Sequence, residues 1–159
     1  MEITSRYSPE ADVSFYRGDC RRLLKQIPPE SARLLVTSPP YNLGKPYERP
    51  KKIKAYLRQQ AAIIRLCVDR IMQGGSICWQ AGNYVAGANE IVPLDILFYP
   101  LFAELGLKLR NRIIWHFGHG LHARRRLSGR YETILWFTKG DDYVFNLDPI
   151  RVPQTERRV

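Results

Sequence analysis

The sequence predicts an α/β fold with a mostly parallel sheet and an antiparallel end. Short apolar runs alternate with helix-spaced segments from residue 13 to residue 117. The last two strand-like runs, 108–117 and 131–140, follow one another with no helix between them. The run 33–37 is apolar without polar alternation, the pattern of a strand buried on both faces of a parallel sheet.

In chain order, "VSFYRGD" (13–19) reads as a short strand ending at Gly18-Asp19. Asp19 is placed to N-cap "CRRLLKQI", where Leu23, Leu24 and Ile27 have helical spacing. "PPES" (28–31) is a turn and "RLLVT" (33–37) the buried strand. A Pro- and Lys-rich loop spans 43–52. Tyr56, Ile63, Ile64, Cys67 and Ile71 then mark an amphipathic helix ending near Gly74-Gly75. "SICWQA" (76–81) is a buried strand. "PLDILFYPLFAELG" (93–106) is a helix with Pro93 near its first turn and Gly106 beyond its end, which Pro100 should kink or split. A basic loop (118–130) separates the last two strands, and "YVFN" (143–146) is available to pair after the "GDD" turn.

The 159 residues, 45% of them hydrophobic, suffice for one domain with a core. No stretch reaches the roughly 18 apolar residues of a membrane span. The N-terminus is mixed and charged, without the apolar centre of a signal peptide, so the chain reads as cytoplasmic, with no membrane partner. Cys20, Cys67 and Cys78 lack CxxC spacing and read as reduced thiols. His116, His119 and His122 are regularly spaced but have no acidic or Cys ligand near them in sequence. Phosphate contact suits them better than a metal, and no metal site is assigned.

Charge is the strongest bulk signal. Lys plus Arg number 25 against 15 Asp plus Glu, a net charge of +10, and the pI is about 9.8. A basic solvated surface would produce this, and so would a polyanionic partner, most simply nucleic acid. Clustering favours the partner: Arg124, Arg125 and Arg126, followed by Arg130, share one loop, and "ERPKKIK" (48–54) is a second basic run.

The chemistry concentrates in Thr37-Ser38-Pro39-Pro40-Tyr41-Asn42. Two successive prolines stop a strand because neither donates a ladder hydrogen bond. They also hold the backbone rigid at the carboxyl end of a strand, where ligands of open α/β sheets bind. Ser38 presents a hydroxyl, Pro39 a carbonyl and Tyr41 a flat ring: two acceptors and a stacking surface for a planar group bearing an NH₂. Acceptors on both amine hydrogens localise the nitrogen lone pair, which could then attack an electrophilic methyl held in line. An exocyclic base amine fits once the base has left the duplex stack, and Tyr41 offers stacking that offsets the loss.

Ser-Pro-Pro-Tyr-Asn after an apolar strand resembles the (D/N/S)-P-P-(Y/F/W) catalytic motif of site-specific DNA amino-methyltransferases, which methylate cytosine N4 or adenine N6 from S-adenosylmethionine. "YRGDCRRLLKQIPPESARLLVTSPPYNLG" is similar to the opening block of the class whose catalytic motif precedes its cofactor loop. "RNRIIWHFG" and "RRRLSGRYETILWFTKGDDYVFNLDPIRVPQ" are similar to that class's later block, so the resemblance covers most of residues 14–154. It implies part of a Rossmann-like S-adenosylmethionine-dependent methyltransferase fold. It also implies catalytic roles for Ser38, Pro39, Pro40 and Tyr41, with Asp19 and the Cys20 backbone at the adenine of the cofactor. Asp19 can be a helix cap as well. Arg124, Arg125, Arg126 and Arg130 are the expected contacts to double-stranded DNA. Ser in the first motif position leans towards cytosine N4, with adenine N6 open, and a restriction–modification setting is implied. No Cys follows a Pro, which argues against cytosine-C5 chemistry.

The class also needs an F-x-G-x-G cofactor loop and a target-recognition region, both expected after the last matched block. Phe117-Gly118-His119-Gly120 has the wrong spacing and position. The expectation is therefore a single, incomplete catalytic domain over 1–159. It would be a subunit of a split enzyme, a truncated product or a piece of a longer protein. It should need a complementary subunit or self-association to cover an apolar edge. Two other readings stay open: a non-catalytic nucleic-acid-binding module that keeps the fold, and a methyltransferase for protein or small-molecule amines.

Overall fold

The computed structural model describes residues 1–46, 48–86, 90–118 and 124–152. Strands β1 (Ile3–Thr4) and β2 (Val13–Ser14) pair parallel, apart from the main sheet. The strand expected over 13–19 is thus only two residues long. Phe15 is exposed, and although its N–H donates to Thr4 O (2.7 Å), residues 15–19 lie outside any strand. Helix α1 (Cys20–Leu24) follows its Asp19 cap. Strand β3 (Ala32–Thr37) leads into the proline motif, and the long helix α2 (Ile53–Arg70) into strand β4 (Ile71–Ala81).

A hairpin of β5 (Asn83–Ala86) and β6 (Glu90–Pro93), which the sequence pattern did not announce, precedes helix α3 (Leu94–Ala103). Pro100 lies inside α3, three residues from its end, and does not split it. Strands β7 (Lys108–His116) and β8 (Tyr131–Thr138) complete the sheet, and a 3₁₀ turn spans Asp148–Ile150.

The main sheet has the order β3-β4-β8-β7. The α/β class holds, with β3-α2-β4 as a parallel crossover unit. Among the described residues, however, β4 meets β8 antiparallel and β8 meets β7 antiparallel, so the antiparallel part of this sheet is the larger. The reason is connectivity. A parallel neighbour needs a crossover, usually a helix, whereas β7 reaches β8 by a loop.

The core lies on one face of the sheet. Tyr56, Ile64, Cys67 and Val68 of α2, with Leu94, Phe98 and Phe102 of α3, pack on Ile77, Trp79, Leu135 and Phe137. Phe102 stacks on Phe137 with ring centroids 4.5 Å apart. On the opposite face Leu34 is 59% and Val36 69% exposed, and Ile113 and Trp115 are exposed as well. The expectation that 33–37 is buried on both faces is therefore corrected: among the described residues, helices cover one face only. Part of the second face is covered by Tyr143 and Phe145, which pack against Trp136. The segment 143–146 forms no strand: its aromatic rings pack there while its backbone stays outside the ladder.

Gly74-Gly75 is not a helix end. The chain turns from α2 into β4 at Ile71, and the glycines bond to the end of β8: Gly74 N–H donates to Lys139 O (2.8 Å) and Lys139 N–H to Gly75 O (3.0 Å). Gly74 has φ +75°, and a Cβ there would lie 2.2 Å from the Asp142 carbonyl oxygen. Only glycine permits that approach.

Candidate functional site

Strand β3 stops at Thr37, which pairs with Trp79 of β4, and the proline pair leaves the sheet at its edge. Residues 37–40 line a cleft of about 510 Å³. Its other walls are Asp19, Cys20 and Arg21 at the start of α1, Tyr56, Gln59, Gln60 and Ile63 of α2, and Trp79. Asp19 and Ser38 thus share one cleft. Among the described residues, the side-chain oxygen of Gln60 and the indole N–H of Trp79 are buried without a hydrogen-bond partner at this cleft.

The motif is held by contacts that leave selected atoms open. Tyr56 Oη donates to the Pro40 carbonyl (2.7 Å), whereas the Pro39 carbonyl has no donor among the described residues. Asn42, 3% exposed and with φ +62°, closes the turn. Its side chain accepts from Lys51 N–H and donates to Lys51 O, both at 2.7 Å. Glu48 accepts from the Asn42 and Leu43 N–H groups at 2.9 and 2.7 Å. The loop after the motif is thereby folded onto the cleft rim.

Tyr41 leans on Gly82: a Cβ at Gly82 would lie 2.7 Å from the Tyr41 ring. Its hydroxyl is 2.9 Å from Ser38 Oγ and donates to Glu132 Oε2 at 2.9 Å. Gln80 Nε2 donates to the same carboxylate oxygen.

Asp19 is the α1 cap that the sequence indicated. Oδ1 accepts from Arg21 N–H at 2.9 Å, and the Arg21 guanidinium reaches both carboxylate oxygens. Those Arg21 hydrogen bonds hold its carboxyl down at about 2. Cys20 is exposed at the cleft wall, whereas burial pushes the Cys67 thiol up to about 12 and raises that of Cys78.

Arg124, Arg125, Arg126 and Arg130 are exposed on the β7–β8 loop and make no ion pair among the described residues. The loop closes with a Phe117 N–H to Arg130 O bond of 2.9 Å, at the sheet end where Tyr41 meets Glu132. His119 and His122 of the histidine triplet, and Gly120 of the near-motif at 117–120, lie outside the described residues, as do residues 153–159.

Sequence reading missed Tyr56, Asn42, Glu48, Gln80 and Glu132 as members of this site. Asn42 stands inside the motif and had a local signal. The partnership of Glu132 with Tyr41 spans 91 positions and had none.

Comparison with known proteins bears on the family and the fold. A sequence profile described as DNA methylase (N6_N4_Mtase) matches residues 32–159. The chain is 50% identical to the type II methyltransferase M.BglII of Bacillus subtilis over 152 residues, covering 96% of this chain and 42% of that protein. It is 33% identical to the type II methyltransferase M.ScaI of Streptomyces caespitosus, covering 94% of this chain and 49% of that one. The chain therefore spans less than half the length of these relatives. Among solved structures, the cytosine-N4-specific PvuII DNA methyltransferase superposes with a TM-score of 0.67 at 22% identity, over 80% of this chain and 49% of that one, a likeness of fold.

Proposed function

The chain belongs to the N6/N4 DNA methylase family, which uses S-adenosylmethionine, and on that premise we propose that it carries the catalytic-motif half of a site-specific DNA amino-methyltransferase. The observation that carries this reading is the shared cleft. Ser38 and Pro39, the acceptors for a target amine, line the same space as Asp19 and Cys20.

The residues present fit part of the methyl donor. Its adenine ring is planar, apolar on its faces and polar at its edges. The cleft offers apolar walls at Ile63 and Pro39, a carboxylate at Asp19, and two unsatisfied buried polar atoms on Gln60 and Trp79. Asp19 and the Cys20 backbone hold the adenine end. S-adenosylmethionine, when bound, supplies a methyl on a sulfonium sulfur that keeps the bond pair and leaves as a neutral thioether.

On the acceptor side, Ser38 Oγ and the Pro39 carbonyl bind the two hydrogens of an exocyclic amine. This draws the nitrogen towards tetrahedral geometry and localises its lone pair. Tyr56 occupies the Pro40 carbonyl, so Pro39 is the acceptor and Pro40 the rigid support. Tyr41, whose ring rests on Gly82, is the stacking surface for the flipped base. Arg124, Arg125, Arg126 and Arg130 contact phosphates of double-stranded DNA, supported by their exposure and by the net charge of +10. Ser38 in the first motif position supports cytosine N4 over adenine N6 as the target.

The open face bearing Leu34 and Val36 supports a companion surface. This is the remainder of the enzyme, as the same chain or a complementary subunit, and it brings the residues for the methionine end of the donor. The test uses that assembled enzyme with plasmid DNA and labelled S-adenosylmethionine. Ser38→Ala abolishes methyl transfer, and nucleoside mass spectrometry of wild-type product reports N4-methylcytosine. Unchanged transfer by Ser38→Ala would refute the assignment of Ser38.

A further inference from the structure

We propose that Glu132, acting through the Tyr41 hydroxyl, sets the direction of the Ser38 hydroxyl so that Ser38 meets the target amine as an acceptor. The inference rests on the catalytic reading of Ser38 and names a positioning residue for it.

Each of the three groups has a fixed proton inventory. The Glu132 carboxylate can only accept, so the 2.9 Å contact from Tyr41 Oη uses the single phenol proton. Gln80 Nε2 donates to the same oxygen, Oε2, and anchors it. In the 2.9 Å contact between Ser38 Oγ and Tyr41 Oη, the proton must then come from Ser38 and the lone pair from Tyr41. The Ser38 hydroxyl proton is thereby directed at Tyr41 Oη, and Tyr41 is not among the residues that line the cleft. Its oxygen lone pairs remain to accept from an amine N–H.

A serine needs this arrangement because a freely rotating hydroxyl presents a proton to an amine as readily as a lone pair, and only the lone pair helps. A carboxylate at position 38 would accept without help. The chain Ser38–Tyr41–Glu132 places negative charge two hydrogen bonds away from Ser38 Oγ and three from the amine, and each bond polarises the next. Tyr41 therefore has two separable functions: its ring stacks, and its hydroxyl relays orientation.

The relay predicts a pattern across variants of the assembled enzyme. Tyr41→Phe keeps the ring and removes the relay, and Glu132→Leu removes the acceptor. Each lowers single-turnover methyl transfer by up to about 100-fold. The dissociation constant for DNA stays within about twofold, because the loss lies in the reacting geometry. Adding Ser38→Asp, which has no hydroxyl proton to direct, raises transfer by Glu132→Leu towards that of Ser38→Asp alone. Wild-type transfer by Glu132→Leu overturns the proposal. So does a Ser38→Asp enzyme that is active alone yet still fails when Glu132→Leu is added.

A wild-type enzyme without methyl transfer removes the catalytic reading instead. The hydrogen bonds are then tested by the unfolding midpoints of Tyr41→Phe, Glu132→Leu and the double variant. Non-additive shifts are expected, and additive shifts overturn the relay.

Discussion

The phenol of Tyr56 donates a 2.7 Å hydrogen bond to the carbonyl of Pro40, tying the middle of the proline motif to helix α2. Tyr56 is 4% exposed, whereas Pro40 is exposed. Tyr56→Phe retains the contact with Phe98, whose ring centroid lies 6.2 Å away, but leaves the carbonyl unpaired. The expected cost is about 0.5–1.5 kcal/mol. Chemical denaturation should show a lower midpoint with an unchanged slope, and an unshifted midpoint contradicts the role given to this bond.

Stability should fall on both sides of neutrality. Burial raises the Tyr56 phenol above its ordinary 10.0 and the Cys67 thiol above its ordinary 9.0. Both are held neutral in the folded state. Deprotonation above those ordinary values favours the unfolded chain, so stability is constant below them and declines as pH rises towards the folded ones. Arg21 hydrogen bonds hold Asp19 at about 2, and Lys108 and then Arg110 lower Asp141. Their contribution is complete above the ordinary 3.8 and is lost as pH falls towards the folded values. Unfolding midpoints measured across pH should form a plateau bounded by an acid and an alkaline decline. A midpoint that keeps rising above pH 9.0 contradicts the burial of Cys67.

Gly82 is a site position by virtue of what it lacks. A Cβ there would meet two atoms of the Tyr41 ring at 2.7 and 2.8 Å. Gly82→Ala must displace the ring and with it the hydroxyl shared with Ser38 and Glu132. Methyl transfer should drop by roughly tenfold or more, while the melting temperature changes little, since half-buried Tyr41 can swing outward. Loss of folding with normal specific activity in the residual folded fraction would contradict this placement.

The arginine loop is tested by salt. Replacing Arg124, Arg125 and Arg126 with Gln should weaken binding to a duplex oligonucleotide. It should also flatten the dependence of log affinity on log salt, by roughly one for each phosphate that is no longer neutralised. Fluorescence anisotropy over a salt series measures both. An unchanged slope would place the DNA elsewhere on the surface.

Part of this was legible because it is local. Two prolines end a strand through a missing N–H, a property of the residues themselves, so the end of β3 could be read from six letters. The Asp19 cap was similarly readable, since its partner Arg21 is two residues away. Strand direction was not legible: "YETILWFT" is apolar in either orientation, and its antiparallel pairing with β4 depends on a register spanning some 60 residues. Gly74-Gly75 looked like a helix end because both a helix stop and a close backbone approach call for glycine, and only the nearby Asp142 carbonyl tells the two apart.

Covalent structure and near neighbours set the chemistry on offer, and the residue order alone carries it: a rigid pair of acceptors, a flat ring, an acidic cap and a basic loop. Folding in three dimensions aims that chemistry. It closed Asp19 and Ser38 around one cleft, left Leu34 and Val36 on an open face, and brought Glu132 to the hydroxyl of Tyr41. A hydroxyl proton points to the strongest acceptor within reach. For Ser38 that direction is set by a distant carboxylate, 91 positions beyond Tyr41, brought near only by the pairing of β4 with β8.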